Sequence, residues 1–319
     1  MKIIKKLKGG SLSKTLVVKI DNEYFVRKKI SINKDREYGL VRWQSQIRKL
    51  QLLKKYLPKN ILPISKIGFE KDYYYFDSPY LENSHNLYDA LKNNVPPNII
   101  AKKIFKILKI MASKKYSPNE GSLYIYILEE IKNPILKAID ANNSNQLNIN
   151  IDNQITLNKN LIESLKKIEV IANYFKKSKI QETLTHGNLT LENALWNYDK
   201  EEIILIDPYY ETYCETILGD ISQLLQSSAS GYEFVSEKKF NKTFDIQKYP
   251  IDRIPNFLKE FSMQLIKHVK NESWYSNEVV KLMHASQFTR MFPFKIVNNP
   301  RQGALFINHG LNLLNKVKC

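Results

Sequence analysis

Cysteine, glycine and arginine are scarce in this chain of 319 residues. Its two cysteines, Cys214 and Cys319, are too few for a disulfide framework, and no Cys/His cluster has metal-site spacing. No stretch approaches about 18 uncharged apolar residues, which predicts that no transmembrane helix is present. Residues 1–8 are basic but lack the apolar segment of a signal peptide. We therefore expect a cytoplasmic protein.

The rarity of arginine also bears on the charge. The chain has 49 Lys and Arg against 32 Asp and Glu, a formal charge of +17, yet only seven of the basic residues are arginine. Residues that read base edges are typically arginine, and no nucleic-acid-binding module has its signature here. We expect no specific nucleic-acid binding. The scattered lysines suit an AT-biased genome and raise the general affinity for anions such as nucleotides.

The N-terminal quarter has the pattern of a small sheet with one helix. Thr15–Ile20 and Tyr24–Ile30 are apolar and β-branched runs around the turn signal Asp21-Asn22, which predicts a hairpin. Helical spacing predicts a helix over Tyr38–Tyr56, ended by Pro58. Two further strands are predicted at Ile61–Ile64 and Tyr73–Phe76.

Beyond this region the pattern favours helices. The predicted helices share apolar residues at helical spacing and cover Leu87–Leu91, Ile99–Ala112, Leu123–Ile139, Leu161–Phe175, Ile217–Gln226, Ile254–Val269 and Asn277–Met291. Residues 140–160 are rich in Asn and nearly uncharged, and we expect a surface loop or insertion there. At 319 residues and 43% apolar content, the chain suits two lobes.

The most informative segment is a polar loop that leads into a hairpin. It contains His186, Asn188 and Asn193, and the apolar strand Ile203–Ile206 follows and ends at Asp207. A loop residue that holds a nucleophile, and an amide and a carboxylate that hold Mg²⁺, are parts that phosphoryl transfer requires. The base position, however, carries the amide of Asn188 where a carboxylate is expected. The alternative is a polar hairpin in which Asp207 caps a turn.

The spacing resembles the aminoglycoside phosphotransferase and choline kinase group of small-molecule kinases. Asn193 follows Asn188 by five residues, as the metal-binding Asn follows the catalytic Asp in kinases. Asp207 lies in Ile-Asp-Pro, a sequence common around the metal Asp of this group, and Gly219-Asp220 follows. The match is tight over about 40 residues and looser elsewhere. The departure is Asn188, where the group has Asp.

The resemblance implies an α+β, protein-kinase-like two-lobe fold that uses ATP and Mg²⁺. Residues 1–82 would form a β-rich N-lobe, and residues 83–319 a larger helical C-lobe that carries the catalytic loop and the metal site. The implied site residues are Asn188 and His186 in the catalytic loop, Asn193 and Asp207 at the metal, Lys28, Ser11, Asp77 and Tyr80 at the nucleotide, and Asp220 as a brace of the loop.

Some of these assignments leave alternatives open. Arg27 and Lys29 flank Lys28, and a solvated lysine on a strand is common. Asp220 could instead be a helix N-cap. The Glu that usually pairs with the strand Lys is not evident, because the helix offers Gln44 and Gln46. Its start carries Glu37.

The resulting functional hypothesis is an ATP-dependent kinase acting on a hydroxyl of a small molecule. The acceptor could be a sugar or an amino alcohol of surface-polysaccharide metabolism, and its partners would be that acceptor and a nucleotide. Residues that could approach the acceptor are Ser227, Tyr232, Glu233 and Arg290. One alternative is a pseudokinase that binds Mg-nucleotide or a partner without turnover, which Asn188 favours. A basic nucleic-acid-binding protein is a weaker alternative.

Overall fold

The fold is that of a computed structural model, which describes residues 1–7, 13–31, 36–210, 213–237 and 245–318. The chain forms two compact units. The first contains residues 1–90, 186–188 and 192–210, and the second contains residues 91–185, 189–191 and 211–319. The predicted boundary at residue 82 lies within the first unit, and the hairpin after the predicted catalytic loop groups with the N-terminal sheet. No helix in the described ranges is long and apolar enough to cross a membrane.

An antiparallel five-stranded sheet organises the first unit, in the order β1-β2-β3-β5-β4. Its strands are β1 (Lys2–Leu7), β2 (Ser13–Ile20), β3 (Glu23–Ser31), β4 (Lys66–Glu70) and β5 (Tyr73–Pro79). The predicted hairpin is confirmed. Its turn residues Asp21 and Asn22 have φ of 46° and 67°, as two-residue hairpin turns require, and Asp and Asn tolerate this conformation best after Gly.

One long helix and a second, smaller sheet complete the first unit. Helix α1 (Arg36–Tyr56) packs against β3 and β5 and begins two residues before the predicted start. Three strands, β6 (Ser84–Asn86), β9 (Ala194–Asn197) and β10 (Glu202–Leu205), form a sheet in the order β10-β9-β6. Its hairpin β9-β10 is the predicted one, displaced by one residue from Ile203–Ile206.

Two strand predictions in the first unit need correction. Ile61–Ile64 is not a strand; Ile61 alone makes a parallel bridge to Leu205, while the strand that completes the sheet is β4. The predicted strand Tyr73–Phe76 ends too early, because β5 extends through Pro79. Both errors arise because strand ends are decided by pairing partners distant in sequence, which local patterns do not contain.

The second unit is mainly helical. A short helix, α2 (Leu87–Lys92), crosses the boundary, and the helices that follow are α3 (Pro97–Ala112), α4 (Ser122–Ile127), α5 (Asn133–Asn143), α6 (Ile151–Phe175), α7 (Ile217–Ser228), α8 (Tyr232–Glu237), α9 (Asn256–Val269), α10 (Asn277–Thr289), α11 (Phe292–Asn298) and α12 (Pro300–Leu314). A two-stranded ribbon joins β7 (Asn119–Glu120) to β8 (Lys179–Ile180). Helix α10 packs against α7 and α12, and α3 packs against α9.

The expected surface loop at 140–160 is mostly helical. Helix α6 begins at Ile151, ten residues before its predicted start, because the Asn150 side chain accepts the backbone N–H of Asn153 and caps the helix. The prediction failed because asparagine was weighed as a loop residue along the whole segment, whereas at this one position it acts as an N-cap.

The predicted helix Leu123–Ile139 is interrupted by a π-helical turn at Leu128–Lys132. Pro134 is the second residue of the next helix and has no N–H to donate to the Glu130 carbonyl. The Thr289 hydroxyl of α10 donates to that carbonyl instead, at 2.7 Å. A hydroxyl from a neighbouring helix thus donates to a carbonyl to which proline cannot donate.

Candidate functional site

The loop and hairpin of the motif place Asn193 and Asp207 at the same end of β9-β10. The register pairs Ala194 with Leu205, and the Ile206 N–H donates to the Asn193 carbonyl at 2.9 Å. Asp207 has φ of 55°, a left-handed conformation that Asp tolerates better than most residues. The hairpin is tied down by Asn60, whose side chain donates to the Ile203 carbonyl and whose own carbonyl accepts the Leu205 N–H.

Lys28 reaches Asp207 directly. Its Nζ lies 2.5 Å from Asp207 Oδ1, with the lysine side chain 11% exposed and the aspartate side chain 38% exposed. Gln46 of α1 directs its Nε2 at the same oxygen over 3.5 Å, a long contact. The carboxylate that contacts the strand lysine is therefore that of Asp207, and the Gln46 amide of the helix lies beside this carboxylate.

Strand alternation separates Lys28 from its two basic neighbours. Successive side chains on β3 point to opposite faces of the sheet. Arg27 and Lys29 lie on one face, where Arg27 is opposite Asp77, and Lys29 contacts Glu70 at 2.6 Å. Lys28 lies on the other face. Its assignment as the nucleotide residue remains a prediction, but the geometry singles it out among the three.

The two loop amides are oriented by backbone carbonyls. Asn193 Nδ2 donates to the Asn188 carbonyl at 2.9 Å. A carbonyl only accepts, so the NH₂ group faces it, and the Asn193 amide oxygen is left for other partners. Asn188 Nδ2 lies 3.5 Å from the Asp207 backbone oxygen, which is a weak contact. The Asn188 side chain, at the predicted base position, is therefore held loosely in the loop.

His186 supports the loop from within. The ring is fully buried, and Nε2 donates to the Ile206 carbonyl at 2.9 Å. Burial first, and then the charge of Lys49, lower the pKa of His186 to about 4. The imidazole is therefore neutral at pH 7, with its proton on Nε2. His186 holds the loop against the end of the hairpin, a structural role consistent with its burial.

Three buried histidines predict acid lability. His284 and His309 in the second unit both bond the Ser230 hydroxyl; burial lowers the pKa of His284 to about 3 and that of His309 well below 6.5, as burial does for His186. A depressed pKa means that the unfolded chain binds more protons between these values and 6.5. The free energy of unfolding should therefore fall as the pH drops below 6.5, by about 2 kcal/mol in total at pH 6.0.

Urea unfolding at pH 7.5 and pH 6.0 checks this. The variant His284→Gln removes one titrating group, so the difference between its own two free energies should be smaller than in the unaltered chain, whatever its absolute stability. Equal free energies of unfolding at the two pH values in the unaltered chain would contradict the prediction.

Lys49 and Tyr210 are not among the predicted site residues. Lys49 is completely buried on α1, and its Nζ lies 4.3 Å from the centre of the Tyr210 ring. A usable signal was present: Lys49 follows Gln46 by three residues, so both share a helix face with Leu50 and Leu53. Polar residues on the buried face of a helix are uncommon in an ordinary core, so they point to a functional site.

Side chains of α7 hold the loop segment of the second unit. The Leu189 N–H donates to Gln223 Oε1 at 2.6 Å, and the Leu191 N–H donates to Ser227 Oγ at 3.1 Å. The Ser227 hydroxyl in turn donates to Glu233 Oε1 at 2.6 Å. Ser227 and Glu233, expected to approach an acceptor, are buried and used in this chain of bonds.

Asp220 lies within α7 and is 1% exposed. The helix begins after Thr216, so the alternative interpretation of Asp220 as an N-cap is wrong. Its role as a brace of the catalytic loop stays a prediction. Tyr232 lies against Phe306, with ring centres 5.8 Å apart, and Arg290 directly follows α10.

The other predicted nucleotide residues are distributed differently. The Asp77 carboxylate is buried in a two-bond pair with Arg27, so its side chain serves the sheet. The Tyr80 N–H donates to the Tyr24 carbonyl, and its hydroxyl accepts from Lys5 Nζ at 2.9 Å. Ser11 lies outside the described residues.

The Asp207 and Asn193 oxygens fit a magnesium ion whose other ligands come from substrate phosphates. Mg²⁺ prefers oxygen ligands and is commonly held by one or two carboxylates together with substrate phosphates. Asp207 supplies one carboxylate, already paired with Lys28, and Asn193 supplies one amide oxygen. Within the described ranges, no group of three or more His, Cys, Asp and Glu could hold a metal ion. These residues suit an ion that arrives bound to a nucleotide.

Solved structures of a small-molecule kinase share this fold. Glucosamine kinase in crystal form B matches with a TM-score of 0.58 and 7% identity over 98% of this chain and 96% of that one. Glucosamine kinase in complex with glucosamine, ADP and inorganic phosphate matches with a TM-score of 0.55 and 8% identity over 99% and 93%. No protein-family model and no curated sequence matches the chain. At this identity the likeness establishes that the chain shares the mixed α/β fold of these structures.

Proposed function

We propose that this chain is an ATP-dependent phosphotransferase that phosphorylates a hydroxyl of a small molecule. The observation that carries the proposal is the Lys28–Asp207 contact, which joins the strand lysine to the carboxylate at the end of the motif hairpin. We also propose a protein-kinase-like two-lobe fold of the aminoglycoside phosphotransferase and choline kinase type. The kinase-type fold of the neighbours supports both proposals.

The residues of the first unit would divide the work as follows. Lys28 would offset the charge of the nucleotide phosphates, and Asp207 and Asn193 would hold Mg²⁺ brought by the nucleotide. That ion would supply charge neutralisation on the transferring phosphoryl group. The Asn188 amide oxygen would accept a hydrogen bond from the acceptor hydroxyl and orient it. Asn188 cannot remove the proton, so positioning would carry the rate.

We propose a sugar as the acceptor class, with an amino alcohol as the alternative. The support is the fold of glucosamine kinase, whose structure was determined with glucosamine, ADP and inorganic phosphate. ATP consumption measured over a panel of sugars and amino alcohols tests this. Turnover with a member of the panel would identify the acceptor, and ATP binding without turnover on any member would argue against the enzyme.

The second candidate is a pseudokinase that binds nucleotide without turnover. Asn188 favours it, because an amide at the base position lacks the carboxylate that would accept the hydroxyl proton. The two candidates share nucleotide binding and differ in catalysis. Single-turnover measurement with the acceptor panel separates them.

Mg-ATP is expected to raise the melting temperature, because a ligand that binds only the folded state stabilises it by mass action. ATP with EDTA should raise it less, since Asp207 and Asn193 then have no ion to hold. Differential scanning fluorimetry at millimolar ligand measures both shifts. AMP, with a single phosphate, provides the control and should give a smaller shift than ATP. The lack of any shift with Mg-ATP would reject both the kinase and the pseudokinase.

A further inference from the structure

The charge of the motif site is unusual for a site built around a divalent cation. The predicted base position carries the amide of Asn188, and the side chain of α1 that contacts Asp207 is the amide of Gln46. The remaining carboxylate, Asp207, has an ammonium group on one oxygen. Lys28 thus already supplies the positive charge that a metal ion would bring to this carboxylate.

The Lys28 ammonium group has capacity for a second anionic partner. A lysine ammonium has three N–H donors, and its charge is not exhausted by a single carboxylate that is partly exposed. The Asp207 side chain is 38% exposed, so the pair lies where a ligand in water can approach it. A phosphate oxygen that approaches Asp207 would therefore contact the Lys28 ammonium group, which lies on the same carboxylate.

We propose that this site binds a polyphosphate chain without requiring a divalent cation, with Lys28 as the countercharge between Asp207 and the phosphates. The inference rests on the proposed nucleotide site and concerns its ion requirement. Mg²⁺ strengthens binding through Asp207 and Asn193, but it is not the condition for binding. The ligand class is a nucleoside triphosphate or another linear polyphosphate.

The first test compares ATP affinity in Mg²⁺ with that in EDTA by isothermal titration calorimetry. The dissociation constant in EDTA should lie within about tenfold of that in Mg²⁺, a loss worth one ordinary ionic contact. Sodium tripolyphosphate in EDTA should also bind, because the phosphates carry the interaction. Binding of ATP in EDTA without any binding of tripolyphosphate would overturn the proposal, since the base would then account for the affinity.

The chain offers a matched pair of lysine variants on one strand. Lys28→Gln should weaken ATP binding in EDTA at least about tenfold, because it removes a charge-assisted contact. Lys29→Gln removes the same charge from the opposite face, where the partner is Glu70, and should leave that affinity unchanged. Lys28→Arg keeps the charge and should retain binding. Equal effects of Lys28→Gln and Lys29→Gln would overturn the proposal.

Removing the charge of the Asp207 carboxylate should change the ATP affinity in the opposite direction. Asp207→Asn should tighten ATP binding in EDTA by about fivefold, because it releases Lys28 from a partly exposed ion pair and removes repulsion of the phosphates. It should also abolish the additional affinity that Mg²⁺ provides. Asn accepts the left-handed backbone of this position, so the fold should persist. Asp199→Asn, at the turn of the same hairpin, is the control and should change neither affinity.

These outcomes separate the two proposals. ATP binding only in the presence of Mg²⁺ would overturn the inference and leave the proposed function standing. The absence of ATP binding both with and without Mg²⁺ would reject the two together. Weaker binding of ATP in EDTA by Asp207→Asn would also overturn the inference, because Lys28 would then depend on Asp207 to contact the phosphates.

Discussion

The variant Asn188→Asp is expected to transfer the phosphoryl group at least about tenfold faster than the chain as it stands. A carboxylate at this position can accept the proton of the acceptor hydroxyl, whereas an amide can only accept a hydrogen bond from it. General-base assistance is worth about 10²–10⁴-fold in many enzymes. The expected lower limit of about tenfold lies below this range, because little charge develops on the nucleophile in a loose transition state.

The structure indicates that the exchange is tolerated. The Asn188 side chain is partly buried, and its Nδ2 approaches the Asp207 carbonyl at 3.5 Å, a weak contact. Aspartate would lose this contact, which is near the limit of a hydrogen bond. The Asn188 carbonyl, which accepts from Asn193, is unaffected because it belongs to the backbone.

The measurement is a single-turnover rate with a competent acceptor, or intrinsic ATP hydrolysis where none is known. Asn197→Asp is the matched control: it adds the same charge at the turn end of the hairpin. There Asn197 Oδ1 accepts the N–H groups of Asp199 and Lys200, which a carboxylate also accepts. Equal rates for Asn188→Asp and the unaltered chain would show that residue 188 is not at the base position, or that the reaction proceeds without a base.

The variant Asp77→Ala is expected to lower the free energy of unfolding by about 3–5 kcal/mol, the cost of leaving a buried charge without its partner. Arg27 donates from Nε and Nη2 to the two Asp77 oxygens, both at 2.8 Å, and the two residues are 4% and 1% exposed. The hydrogen bonds that Arg27 donates to Asp77 raise the pKa of the guanidinium in the intact pair. In the variant the arginine stays protonated even without them, so it cannot discharge to escape the cost.

Two comparisons isolate this effect in urea unfolding. Glu70→Gln breaks the partly exposed pair with Lys29 and the longer 3.9 Å contact of Glu70 with Arg27, and should cost less than about 1 kcal/mol. The double variant Arg27→Met/Asp77→Leu removes both charges and should be more stable than Asp77→Ala alone, since apolar replacement of a buried pair is often neutral. An effect of Asp77→Ala no larger than that of Glu70→Gln would contradict the assignment of a buried pair.

Local sequence patterns predicted some elements of this fold and missed others. The hairpin of β2 and β3 and the helix α1 were predictable because each depends on residues close in sequence: a turn at Asp21-Asn22 and helical spacing of apolar side chains. The motif spacing likewise located the loop and the hairpin β9-β10. The start of α6 was missed by ten residues, because one asparagine that caps a helix looks like any other in an Asn-rich segment.

The sequence by itself determined the hairpin that carries Asp207, the amide at position 188, and the period-two alternation that separates Lys28 from Arg27 and Lys29. Only the tertiary structure decided which partners these residues meet. Lys28 pairs with Asp207, and Arg27 with Asp77, because β3, β5 and β10 come together in the first unit. Such pairings depend on strand register between segments distant in the chain. The neighbours of a charged side chain then determine whether it can contact a ligand, supports a loop or forms a buried ion pair.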